Sequence, residues 1–383
     1  MTNDSISLII TISILAFLLL HYLFFLQRII RGLANLKPNK NEILPHEFVT
    51  IIIPFRNEQE NILRNLKSIE AQLYPAEKFE VIYVDDSSND LSKEILVKNT
   101  IKNNIKILSV PEDYSINAHK KRAIRFGIEN SKGEIIVATD ADCIYDEDWL
   151  QALMISYDSL TGFVSGPVEF ISENGLFTQF QKLEFAGLVL TGAGLIGSGH
   201  PTICNAANIS YRKKVFKEVG GFKDNLNLSS GDDELLMQKI SRNTDFKIKF
   251  CIDQKAIVKT SANKTIQDFI QQRKRWASKG LFYGDKSLVI KLIFIYAFYV
   301  GLILQIILGI SEGSIFFVSA LISLLLKFTF EFRILFLGKA KIFRNLRLKY
   351  FFLAEIIQIP YIIYAGLIGA FGNYSWKSRM LKR

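Results

Sequence analysis

The residues of this sequence best suited to chemistry are carboxylates in three short groups. Asp85 and Asp86 follow the apolar run Val81-Ile-Tyr-Val84, Asp140 and Asp142 follow Ile135-Ile-Val-Ala138, and Asp232, Asp233 and Glu234 follow Gly231. Carboxylates gathered in one place repel one another unless a cation or a donor-rich ligand lies between them. Asp140 and Asp142, one residue apart, share a face in a strand and converge on one ion in a turn. Such hard oxygen ligands suit Mg²⁺ or Mn²⁺, which can bridge to phosphates, and the competing reading of a bare D-x-D is a capped turn. Asp85 and Asp86 can accept hydrogen bonds from a nucleotide base or ribose. They can equally build an Asx turn and helix cap, for which Ser87 and Ser88 are well chosen.

To act together, these groups must be brought to one edge of a scaffold, and the chain supplies one between Phe48 and about Lys279. Short β-branched runs alternate there with charged, helix-like stretches, the pattern of a soluble α/β region. Strands are predicted at Phe48 to Ile53, Glu80 to Val84, Ile105 to Val110 and Glu134 to Thr139, with a helix from Glu58 to Gln72. These spacings suit βαβ units and a mostly parallel sheet. Ligands of such sheets bind outside the carboxyl ends of the strands, which is where the first two acidic groups fall.

The flanking sequence is oily and basic. Of the 383 residues 49% are apolar and 22% charged, yet Lys and Arg outnumber Asp and Glu by 47 to 37. Disordered and collagen-like chains are excluded. Cys143, Cys204 and Cys251 make neither a disulfide framework nor a zinc spacing, and read as reduced thiols facing a cytosol. Ile6 to Leu26 contains His21 as its only strongly polar residue and is long enough to cross a bilayer core of about 30 Å. Its Met-Thr-Asn-Asp start argues against a cleaved signal peptide. Arg28, Arg31, Lys37 and Lys40 then place the following chain in the cytoplasm. Apolar stretches return at Leu288 to Ile310, Ser314 to about Leu337 and Tyr350 to Ala370. In the second, Lys327, Glu331 and Arg333 suggest an early exit along the cytoplasmic surface; in the third, Glu355, Gln358 and Pro360 admit a kinked or re-entrant course. Three tail crossings would put Lys377, Arg379, Lys382 and Arg383 outside, against the positive-inside rule. The expected organisation is a transmembrane anchor and basic linker (1–40), a cytosolic domain (41–284) and a membrane region of two to three spans (285–383). The surplus charge borders membrane spans without an RNA or DNA motif, so no nucleic-acid partner is expected.

Seven segments carry a resemblance. In chain order they are Val-Thr-Ile-Ile-Ile-Pro-Phe-Arg-Asn-Glu at 49–58, Val-Asp-Asp-Ser-Ser-Asn-Asp at 84–90, Lys-Lys-Arg-Ala-Ile-Arg-Phe-Gly at 120–127 and Thr-Asp-Ala-Asp at 139–142. They continue with Asn-Ala-Ala-Asn-Ile-Ser-Tyr-Arg at 205–212, Gly-Asp-Asp-Glu-Leu-Leu at 231–236 and Gln-Arg-Lys-Arg-Trp at 272–276. Together they resemble the membrane-bound branch of family 2 glycosyltransferases, which includes cellulose, hyaluronan and poly-N-acetylglucosamine synthases. The resemblance implies a GT-A fold, an α/β Rossmann-like nucleotide-sugar-binding domain between an N-terminal transmembrane helix and a C-terminal helical membrane region.

It also implies roles for individual residues. Asp86, with Asp85, would hold the uridine of a UDP-sugar; Asp140 would contact the nucleotide and, with Asp142, an Mg²⁺ or Mn²⁺ ion. Lys120 would meet the diphosphate or the neighbouring acids. Asp233 would be the general base of an inverting displacement. Gln272, Arg275 and Trp276 form the Q-x-x-R-W signature, with Arg275 at the leaving diphosphate and Trp276 near the sugar or acceptor. His119 stands where the family often has Gly, and Asp232 beside Asp233 competes for the base role. Composition alone reads these features as a basic helix face around Lys120, acids capping a helix at 232–234 for about 0.3–1 kcal/mol each, and a juxtamembrane Trp anchor. The implied partners are a nucleotide-sugar donor, a lipid-linked or saccharide acceptor and membrane lipids. The implied location is multi-pass in the cell membrane with a cytosolic catalytic domain. Three or four spans are few for a self-contained polymer channel, so transfer of one or a few sugars fits as well as polymerisation. A ceramide-type glucosyltransferase and a non-catalytic membrane scaffold of the same fold are the alternatives.

Overall fold

The computed structural model describes residues 3–38, 46–114, 119–171, 175–223, 231–278, 283–371, 374–376 and 379–381. Lys40, Lys377, Lys382, Arg383 and the expected boundary between 40 and 41 lie outside them. In chain order the elements are α1 (Asn3–Asn35), β1 (Val49–Phe55), α2 (Ile62–Glu70), β2 (Phe79–Asp85), α3 (Ser92–Asn99), β3 (Ile105–Ser109), α4 (His119–Glu129), β4 (Ile135–Ala138) and α5 (Trp149–Met154). There follow β5 (Thr161–Ser165), β6 (Val168–Phe170), α6 (Leu176–Gly197), β7 (Ile209–Arg212), α7 (Lys213–Glu218), α8 (Glu234–Asn243), β8 (Lys247–Phe250) and β9 (Val258–Thr260). The chain ends with α9 (Ile266–Ser278), α10 (Lys286–Ser311), α11 (Ile315–Lys341), α12 (Phe351–Phe371), β10 (Tyr374–Trp376) and β11 (Arg379–Leu381).

Seven strands form one sheet in the order β3-β2-β1-β4-β7-β5-β8. The half from β3 to β4 is parallel, and β7 runs antiparallel to both β4 and β5. Every residue of β1, β2 and β4 is buried, which is why these strands read as unbroken apolar runs instead of alternating ones. β1 extends beyond its predicted end through Pro54. Ile52 and Pro54 face the β4 side of the sheet, and β4 pairs only as far as Ile52, so the missing proline N–H interrupts no ladder. The predicted helix from Glu58 shortens to α2, and Glu58 and Gln59 ahead of it donate their N–H groups to Ser92 and Asp90 of the neighbouring loop. The chain departs to β2 on one side of β1 and reaches β4 on the other, so the carboxyl ends of β1 and β4 open a crevice.

Four helices, falling on α1, α10, α11 and α12, are long and apolar enough to cross a membrane. They are not a detached anchor. The second half of α1 crosses α6, a helix of the α/β region, so closely that a Cβ on Gly32 would stand 1.7 Å from the Gly194 carbonyl oxygen. A Cβ on Gly194 would meet the Ile29 carbonyl oxygen at 2.6 Å. Leu190 of α6 fills the space above Gly338 of α11 in the same manner.

Lys327 and Glu331, expected to draw the second tail segment out of the bilayer, are buried inside the helix bundle instead. Lys327 Nζ pairs with Glu331 at 2.9 Å and with Glu355, and donates to Gln358 Oε1 at 3.0 Å. Tyr22 donates to Glu331 and lies 3.0 Å from the Tyr299 hydroxyl, so one polar cluster ties all four spans together. Charges satisfied by one another give α11 no reason to break, and it runs unbroken to Lys341. α12 likewise continues through Pro360.

The α1–α6 crossing predicts a contrast between two glycines. Gly32→Leu should cost more than the usual 1–3 kcal/mol (about) of overpacking, because backbone is what the side chain strikes. Gly187→Ala, with nothing within 4 Å of its Cβ, should be neutral or stabilising by up to about 1 kcal/mol. Thermal unfolding of the detergent-solubilised protein by circular dichroism distinguishes the two.

Candidate active site

The crevice at the β1/β4 switch point opens into a cavity of about 820 Å³. It is lined by Asp86, Lys120, Asp140 and Asp142, and by Asp232 and Asp233. Gln272, Arg275 and Trp276 of α9 line it further on, and Tyr296 of α10 and Tyr361, Ile362, Ala365 and Gly366 of α12 close its far end. Eight of the nine expected site residues therefore share one space. Asp85 does not line it: its Oδ1 accepts the Ser88 N–H at 2.9 Å, so it builds the turn while Asp86 borders the cavity. The turn reading of that pair thus holds for Asp85.

The loops that carry these side chains are knitted to each other. Arg56, after β1, donates to the carbonyls of Asp86 and Ser87, both at 2.7 Å. Asn57 and Ser87 stand at φ +52° and +63°, an uncommon backbone region for residues other than glycine. They are held there by cross-loop hydrogen bonds, Asn57 N–H to Ser88 Oγ at 3.1 Å and Asn89 N–H to Asn57 Oδ1 at 3.0 Å. The turn bearing Asp140 and Asp142 is clamped from below by buried Asn65 of α2. Its amide donates to the carbonyls of Asp140 and Cys143 and to the Tyr145 hydroxyl, and it accepts from Tyr83. Asp142 is fixed further by Thr260 of β9, whose hydroxyl donates to Oδ2 at 3.1 Å. Burial, then the carboxylates of Asp142 and Asp140, pushes the Cys143 thiol up, so it stays protonated beneath this turn.

Lys120, in the first turn of α4, reaches Asp140 Oδ1 at 2.6 Å and Asp232 Oδ2 at 3.3 Å. Burial alone would lower its pKa; Asp140, Asp232 and the more distant Asp233 outweigh that and raise it. Its stabilising charge is therefore fully present below the ordinary lysine pKa and fades only as pH rises through the raised one. One cation thus joins the parallel half of the sheet to the acidic start of α8.

α8 begins where Gly231, at φ +85°, turns the chain, and Asp233 occupies its N-cap position. Asp233 Oδ2 accepts the N–H of Ala206 at 3.0 Å, which ties it to the 205–212 segment. Glu234 points elsewhere and accepts from the Tyr283 hydroxyl at 2.9 Å. The sequence reading did not single out Asn65, Thr260, Arg56, Glu184 or Arg273. Arg273 sits inside the signature already noted, and Glu184 is the last charge before the apolar run Phe185-Ala-Gly-Leu-Val-Leu190, the local signals these two residues carry.

Asp140 and Asp142 offer a divalent metal two hard-oxygen side chains. Among the described residues no three His, Cys, Asp or Glu side chains converge to hold an ion by themselves. That donor set fits an ion whose remaining ligands are phosphate oxygens and water.

A parallel-rich α/β sheet carrying acidic residues at its switch point defines a nucleotide-binding layer of the glycosyltransferase A type. Residues 50–220 match the family model described as Glycosyl transferase family 2. The chain is 34% identical over 188 residues to the glycosyltransferase AglE of Haloferax volcanii, covering 48% of this chain and 59% of that protein. It is 26% identical over 266 residues to the poly-beta-1,6-N-acetyl-D-glucosamine synthase of Staphylococcus aureus, covering 67% and 60% respectively. The chain thus spans about six tenths of the length of these curated relatives. Its fold resembles that of the mannosyltransferase PcManGT from Pyrobaculum calidifontis, solved with GDP-Man and Mn²⁺. The TM-score is 0.58 at 20% identity, over 94% of this chain and 97% of that one.

Lys120→Met removes the counter-charge from the acidic cluster. Leaving Asp232 and the part-exposed Asp140 without their cation should cost about 1–3 kcal/mol near neutral pH. The uncompensated carboxylates gain by protonation, so the deficit against the parent protein should shrink as the pH falls toward 5. Melting temperatures of both proteins across that range test the sign; a deficit independent of pH would contradict it.

Proposed function

We propose that this protein is an inverting glycosyltransferase that moves a sugar from a nucleotide-sugar, on the family pattern a UDP-sugar, to an acceptor presented at the membrane surface. The observation that carries the reading is the shared cavity, in which a carboxylate at a helix N-cap position, a half-buried lysine and a strand-end D-x-D face one another. In this reading Asp86 receives the nucleoside. Lys120 and Arg275 balance the diphosphate, and the hold of Lys120 on Asp140 gives way in part as phosphate arrives. Asp142, with Asp140, would hold a divalent metal, Mg²⁺ or Mn²⁺; the Mn²⁺ bound by the mannosyltransferase of like fold supports this. When bound, such an ion supplies positive charge against the departing diphosphate.

Asp233 acts as the general base. Its hydrogen bond from the Ala206 N–H orients the carboxylate. It takes the proton of the acceptor hydroxyl as that oxygen bonds to the anomeric carbon. The bond to the diphosphate oxygen breaks on the opposite face, and the nucleoside diphosphate leaves with the electron pair. Side chains of α10 and α12 at the far end of the cavity support a lipid-linked acceptor over a free saccharide. The basic residues beside the spans support a cytosolic catalytic face in the cell membrane.

Asp233→Asn should lower transfer by about 10²–10⁴-fold, the usual contribution of a positioned base, while binding of the nucleoside diphosphate persists. Sugar transfer and calorimetric binding, measured on the same preparation, test the pair of expectations. Parental turnover in this variant would remove Asp233 from the base role.

A further inference from the structure

Where the cavity wall meets the membrane helices lies a polar hub that the chemistry above does not use, and Arg273 and Tyr361 of this hub belong to the lining themselves. Glu184, on α6, faces Arg273 of α9, whose Nε donates to Oε1 at 2.9 Å while Nη2 pairs with Oε2. Tyr361 of α12 donates to the same Oε1 at 2.7 Å. The remaining terminal nitrogen of Arg273 donates to Gln272 Oε1 at 2.6 Å. The guanidinium carbon lies 4.3 Å from the centre of the Trp276 ring and 4.5 Å from that of Phe269. Ring contacts extend the contact chain in both directions. Trp276 packs on Phe185, Phe185 stacks on Phe170 of the small β6–β9 sheet, and Phe269 meets Tyr361. Arg273 therefore has hydrogen bonds from each of its nitrogens and aromatic rings against its plane, and its side chain is only 3% exposed.

We infer that Glu184, Arg273 and Tyr361 are positioning residues that set Gln272 and Trp276 at the cavity wall. The inference rests on the reading of this cavity as a transferase site. A planar guanidinium can join a carboxylate edge-on, hold a neighbouring amide and lie against two rings at once; a lysine offers only a point charge. Because Gln272 and Trp276 line the cavity while Glu184 and Tyr361 anchor α6 and α12, the hub relates the sheet, the signature helix and the last span. A small displacement of such groups costs rate more than donor affinity.

The test compares parent, Arg273→Lys, Glu184→Gln, their double variant and Tyr361→Phe in detergent with Mn²⁺. UDP-glucose, UDP-GlcNAc and GDP-mannose are offered, and nucleoside diphosphate release is followed with the donor that the parent cleaves. Rates are expressed per nucleotide-binding site counted by calorimetry, so that an unfolded fraction does not enter. The expected result is a kcat per site lower by about 10–100-fold in the two charge variants at unchanged donor affinity. The double variant should fall no further than the worse single one. If a charge variant binds no nucleotide, Tyr361→Phe decides, since it loses one hydroxyl and no charge: a reduced kcat per site supports the role and a parental one overturns it. Variants that match an active parent, or losses that simply add, overturn the positioning role alone. A parent that cleaves no nucleotide-sugar overturns the transferase reading and this inference with it.

Discussion

Several carboxylates brought to one crevice would push the fold apart, and the Lys120 ammonium between Asp140 and Asp232 is what lets them stay. The rest of the site is arranged around that constraint. Asp140 belongs to the turn after β4, which Asn65 clamps; Asp232 belongs to the start of α8, which Gly231 turns. The crevice thus holds a cation already drawn to its place by acids, and acids already compensated by that cation. The same arrangement accounts for the cost of holding a lysine away from water, because its neighbours supply more attraction than burial removes.

A second constraint is the joining of soluble and membrane parts. α6 belongs to the α/β region by chain order, yet it is gripped by α1 at Gly32 and Gly194 and by α11 at Gly338. The wall of the cavity is therefore composite, with strand-end loops on one side and Tyr361, Ala365 and Gly366 of α12 on the other. The ion cluster around Lys327 fixes α12 through Glu355 and Gln358, one to two turns before Tyr361. Residues that look like the interior of an anchor thus shape the wall of the cavity.

The parallel half of the sheet and the acidic strand ends were legible in the sequence for a physical reason. Strands buried on both faces are unbroken β-branched runs, and the polar residues that follow them stand out. α6 was not legible. From Phe185 to Gly197 its sequence is apolar or glycine apart from Thr191, and the place of this stretch appears only when α1 and α11 lie against it. The partners Glu184 and Arg273 are 89 residues apart, beyond the reach of any local pattern. Lys327 and Glu331 misled in the opposite sense: on one helix they look like a reason to leave the bilayer, and only Tyr22 and Glu355 from other helices reveal them as its internal fastening.

Titration calorimetry of UDP and GDP into the detergent-solubilised protein, with Mn²⁺ and again with EDTA, tests most directly whether the acidic crevice balanced by Lys120 is a nucleotide-sugar site. The expected result is one binding site per chain for at least one of the two nucleotides, with affinity that falls when the cation is removed. Absence of binding by either nucleotide, or binding indifferent to the cation, would contradict it.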